Sequence, residues 1–139
     1  MTRRLALFAI AFVLGCSSPD EPCVVADGIA GTWTYQATRE SPVPGTIAGT
    51  LVIGSHGCID FQGAMDVVET LATGETHRVT GPVSGTIDGE LVRFEASLAG
   101  GAREHFARLV GDSLSGSWIE PDGTIPGSGE FGGRRQKQN

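Results

Sequence analysis

The chain has 139 residues, 40% of them hydrophobic and only 19% charged, with a formal net charge of −6. That length suits one domain and leaves little room for two. Its 21 glycines follow no three-residue period, which excludes collagen, and a mean hydropathy of +0.01 excludes both a multi-span membrane protein and a plainly disordered chain.

Arg3 and Arg4 precede an unbroken apolar run, Leu5 to Leu14, followed at once by Gly15 and Cys16. Ten apolar residues make a helix of about 15 Å, roughly half a bilayer core, so the run is too short to span. It has the layout of a secretory signal. Val13-Leu14-Gly15-Cys16 resembles the bacterial lipobox. The resemblance implies removal of residues 1–15, a diacylglyceryl group on the Cys16 thiol, and a further acyl chain (such as palmitate) on the freed amine. Two or three acyl chains anchor a protein firmly where one does not. Ser17 stands where an Asp would favour inner-membrane retention, so the expected location is the cell envelope, on the outer membrane. Loss of Arg3 and Arg4 reduces the 10 basic residues to 8 against 16 acidic, a net charge of −8. That sign argues against nucleic acid and anionic headgroups as partners. Attachment to the membrane then falls to the lipid. Ser17 to Pro22 is polar and proline-broken, so residues 16–27 read as the lipidated cysteine and a flexible tether.

With Cys16 acylated, Cys23 and Cys58 remain. In an oxidising compartment an even pair suggests a disulfide, and closing that loop contributes roughly 3–4 kcal/mol.

From residue 28 the dominant period is two. Ile29, Gly31, Trp33, Tyr35 and Ala37 share one face. The same alternation places Ile47, Gly49, Leu51 and Ile53 together, then Ile59, Phe61, Met65 and Val67, then Val92, Phe94, Ala96 and Leu98, then Leu114, Gly116 and Trp118. One apolar and one polar face per run is the pattern of antiparallel strands over a single core. Met65, Val68, Leu71 and Ala72 also fit a helical stripe; strand is preferred. Turn chemistry falls at Ser41–Gly45, Ser55–Gly57, Thr73–Glu75, Asp88-Gly89, Gly100-Gly101, Gly111-Asp112 and Pro121–Gly123. These seven breaks predict about eight strands. Gly-Thr-Ile-x-Gly recurs at Gly45, Gly85 and Gly123, which reads as repeated hairpin chemistry rather than as a structural repeat. Eight strands without covering helices must close or stack. The expected fold is all-β, an antiparallel up-and-down barrel over residues 28–135 with a disordered tail at 136–139; a two-sheet sandwich is the alternative.

Gly31-Thr32-Trp33 opens the first strand, and Arg134 and Arg135 close the last. This resembles the lipocalin-like (calycin) barrels, in which a Trp from the first strand lies under an Arg from the last. The run Gly111 to Trp118, with Gly129-Glu130-Phe131, is similar to the final hairpin of small bacterial lipocalin-like lipoproteins. The resemblance implies a Trp33 plug at one end, capped by cation–π contact, and a barrel able to hold one small apolar ligand.

Chemistry is sparse. Gly111-Asp112-Ser113-Leu114 matches an esterase nucleophile motif, but no His follows it, and a serine without a base is not activated. His56, His77 and His105 have no ligand spacing and read as surface residues, so no metal or cofactor is expected. Asp60 and Asp66 lie about 20 Å apart along a strand, too far to cooperate. The chain reads as non-catalytic. Tyr35, Phe61, Met65, Phe94 and Phe106 are the candidate lining of a ligand cup; an internal void above roughly 300 Å³ would mark one. A packed interior would point instead to an outer surface that binds a cationic protein, a lysozyme among the candidates.

Overall fold

The computed structural model describes residues 28–55, 57–123 and 126–138, and of Ser55 only the backbone. The signal run, Cys16, the tether and Cys23 lie outside the described residues. The elements are β1 (Gly31–Arg39), β2 (Gly45–Ser55), β3 (Asp60–Leu71), β4 (Thr76–Asp88), β5 (Leu91–Leu98), β6 (Gly101–Val110), β7 (Ser113–Glu120) and β8 (Gly127–Arg135). Each pairs antiparallel with the next, and β1 pairs with β8, closing the barrel in simple up-and-down order. The sandwich alternative is therefore wrong. Closure leaves no edge strand with free N–H and C=O groups.

The period-two runs fold as strands because each has one face to bury. In β1 the burial alternates from Trp33 onward, with Trp33, Tyr35, Ala37 and Arg39 inward. Met65 and Leu71 lie on one continuous strand, so the helical stripe does not form. Connections are short and fall at the predicted turns. Leu98 pairs with Gly101 across a two-residue turn, which fixes the β5–β6 register. The Gly-Thr-Ile-x-Gly segments occupy unlike positions: one starts β2, one ends β4, and Gly123 lies in the β7–β8 turn. At Gln136, just past β8, the backbone N–H donates to the Thr32 carbonyl at 2.8 Å.

Loops β1–β2, β3–β4, β5–β6 and β7–β8 form one end of the barrel. The chain entry at Gly28 and the other three loops form the opposite end. The core runs between them as one apolar cluster containing Trp33, Phe61, Met65, Phe94, Trp118 and Phe131.

Candidate functional site

The entry end is built around Trp33. Its ring is fully buried, and its Nε1–H donates to the Ile29 carbonyl at 2.9 Å. Arg135 Cζ lies 4.7 Å from the Trp33 ring centroid. The same guanidinium donates to the Ala30 carbonyl at 2.9 Å and to the Gly28 carbonyl, and it pairs with Asp112 at 3.1 Å. Gly31 takes φ +136°, a conformation side chains rarely adopt, and this bend lets the chain pass beneath Arg135. Of the two terminal arginines, Arg135 makes the cap. Arg134 points outward and meets β1 only through its backbone and the Thr34 hydroxyl. Alternation along β8 separates their roles.

The middle of the barrel is aromatic. Phe94 and His105 stack at 4.1 Å, and Tyr35 and Phe131 stack at 5.5 Å. His105 meets Phe131 edge-on at 5.0 Å. The Tyr35 hydroxyl is 2.9 Å from His105 Nε2, and His105 Nδ1 is 3.1 Å from the Arg103 carbonyl. A carbonyl only accepts, so Nδ1 carries the proton and Nε2 accepts from Tyr35. Burial, reinforced by the Arg103 charge, pushes the His105 pKa down to about 3. Burial raises that of Tyr35, with Arg103 partly opposing it.

The far end is charged. Arg39 Nε donates to Glu69, and Arg39 Nη2 lies 3.9 Å from Glu120. Arg103 donates to Glu120 through Nε at 3.0 Å and Nη2 at 2.8 Å, and its Nη2 is 3.4 Å from Glu69. Both guanidinium groups lie over the Trp118 ring, at 5.1 Å for Arg39 and 4.5 Å for Arg103. The Trp118 indole N–H donates to the Thr38 carbonyl at 3.0 Å. Two arginines and two glutamates leave the cluster neutral, which makes its burial tolerable. Arg39 also reaches the Pro126 carbonyl, and a Cβ at Gly127 would fall within its guanidinium, so any larger residue there would have to push Arg39 aside.

The residues proposed as a cup lining divide. Tyr35, Phe61, Met65 and Phe94 point inward and are buried. Phe106 does not: it lies outside the wall, 41% exposed, with Arg93 Cζ 5.8 Å from its ring. The β5–β6 register sets this, because Phe94 is inward and pairs with His105, leaving Phe106 on the opposite face. His105 is thus a buried residue rather than a surface one, while His77 pairs with Glu75 at 3.1 Å. His56 lies outside the described residues. Cys58 sits exposed in the β2–β3 turn at the entry end. Ser113 begins β7 after the Gly111-Asp112 turn, whereas both ring nitrogens of His105 are engaged inside the barrel.

Sequence reasoning missed Arg39, Glu69, Arg103 and Glu120, although each has inward parity: Arg39 two residues past Ala37, Glu69 between Val67 and Leu71, Glu120 two past Trp118. A recess of about 770 Å³ lies along the wall over β7, β8, β1 and β2, bordered by Gln36, Ser115, Glu130 and Arg134.

No protein-family model matches the chain, and no curated protein does. Solved structures do. A de novo designed fluorescence-activating β-barrel is similar with a TM-score of 0.61 and 19% identity, over 80% of this chain and 96% of that one. The redesigned barrel mFAP1 bound to DFHBI matches at 0.62 with 14% identity, over 81% and 98%. EF1p2_mFAP2b bound to DFHBI matches at 0.63 with 14% identity, over 82% and 98%. At such identities the likeness is one of fold alone: a closed, eight-stranded antiparallel barrel.

Proposed function

We propose that this chain is a non-catalytic cell-envelope lipoprotein, anchored through Cys16, whose filled barrel presents an outer surface to a cationic protein partner. The carrying observation is the interior itself. From Trp33, through the Phe94–His105 and Tyr35–Phe131 stacks, to the Arg39–Glu69–Arg103–Glu120 cluster, its side chains are at most 8% exposed. An eight-stranded barrel has an interior just wide enough to be filled in this way.

The outer wall supports the choice of partner. Glu95 and Glu104 face each other across β5 and β6 as Cα partners, and among the described residues no cationic side chain bridges to either. Phe106 and Ile119, both exposed, flank them on β6 and β7. Like charges set opposite each other cost stability until a cation arrives. The anchor and a Cys23–Cys58 bridge belong to the same reading: Cys58 lies in the β2–β3 turn, at the end of the barrel where the chain enters.

Titration of the purified chain with hen lysozyme, a basic protein, tests the proposal. Saturable binding that weakens with salt and with Glu95→Gln/Glu104→Gln supports it; no binding at low salt refutes it. A second reading, a small apolar ligand held among Tyr35, Phe61, Met65 and Phe94, draws on the two neighbours bound to DFHBI. Saturable uptake of a fluorescent fatty acid, abolished by Phe94→Trp, would favour it over the first.

A further inference from the structure

Among the described residues, three of the most exposed large apolar side chains gather at the entry end: Ile59 at 55%, Leu91 at 52% and Val110 at 60%. They occupy one continuous arc. Leu91 opposes Asp88 on β4 and Arg108 on β6, and Val110 lies two residues beyond Arg108. The Ile59 carbonyl accepts from the Ile87 N–H, one residue from Asp88. The opposite end has polar loops, with Thr73 and Glu75 exposed in one and Asp122 in another.

The chain outside the described residues leaves from this same end. Arg135 holds the Gly28 and Ala30 carbonyls there. Cys16 lies twelve residues before Gly28, a reach of at most about 40 Å fully extended. Asp60 and Asp88 are exposed at this rim beside Ile59 and Leu91 and resist an anionic surface, while two other carboxylates there are paired with arginines. Glu90 lies 4.0 Å from Arg108, and Asp112 lies 3.1 Å from Arg135.

We infer that Ile59, Leu91 and Val110 form a membrane-docking rim, which seats in the headgroup region of the bilayer that holds the lipidated N-terminus. The inference rests on the anchored-lipoprotein reading and adds an orientation to it: the barrel stands entry end down, with the charged cluster pointing away from the membrane. Three side chains of this size entering the interface give weak, non-specific attraction, which suffices once a tether keeps the barrel close.

The test uses the full chain produced in a lipidating host and reconstituted into phosphatidylethanolamine/phosphatidylglycerol vesicles with brominated acyl chains. Leu91→Trp and Val110→Trp place probes on the rim, Thr73→Trp places one at the far end, and the unsubstituted protein supplies the Trp33 and Trp118 background. All three sites are exposed, so the fold tolerates the change. The expected result is co-flotation with vesicles and emission roughly halved for the rim probes, with the Thr73→Trp probe unquenched. Flotation without preferential rim quenching overturns the docking and leaves the anchor intact. Failure to float overturns the anchor, and the docking with it.

Discussion

Phe94 and His105 pair across β5 and β6, and their rings stack inside the barrel with 4.1 Å between centroids and 9° between planes. The imidazole is held neutral there, with a pKa of about 3 against an ordinary 6.5. A depressed histidine means that the unfolded chain binds the proton first. The contribution of His105 to stability is therefore complete above about pH 6.5 and drains away as the pH falls toward 3. Urea midpoints measured from pH 7.5 down to 3.5 should fall across this window. His105→Gln, which can still accept from Tyr35, should flatten the decline. An equally steep decline in that variant would count against this role.

The buried cluster at the far end makes a second prediction. Arg103→Met leaves Glu120 buried without its two-pronged partner. The loss should be about 3–5 kcal/mol, as for breaking buried pairs in general. Arg103→Met combined with Glu120→Leu should recover much of it, because no buried charge is then stranded on that side. Denaturant unfolding of the two single variants and the double gives the coupling directly.

The two terminal arginines should separate cleanly. Arg135→Ala removes the cap on Trp33 and the donors to the Gly28 and Ala30 carbonyls, costing about 2–3 kcal/mol. Arg134→Ala touches only an exposed side chain and should stay within about 0.5 kcal/mol of the parent. Thermal or urea midpoints distinguish the two.

On the outer wall, Glu95→Gln should stabilise the free protein by about 0.2–1 kcal/mol, because it removes one of two facing carboxylates. The gain should shrink in high salt, where the repulsion is screened. A destabilised variant at low salt would show that a neighbouring group already relieves the pair.

The sequence by itself determined the strands and where they turn. Alternation at Trp33, Tyr35 and Ala37, or at Val92, Phe94 and Ala96, needs only the two-residue period of a strand and one face to bury. The turns at Asp88-Gly89 and Gly111-Asp112 need only local backbone preference. Closure was legible only as one of two choices, since eight such strands without helices must close or stack; the pairing of β1 with β8 decided it. The inside of the barrel was decided by tertiary structure. Arg39, Glu69, Arg103 and Glu120 stand on four different strands, and only closure brings these charges to one end, where they neutralise one another around Trp118. In β6, alternation alone left both faces plausible: Phe106 lies on one, Ala107 and Leu109 on the other. The two-residue turn from β5 settled it by pairing His105 with Phe94, and a ring expected inside went out while a histidine expected outside came in.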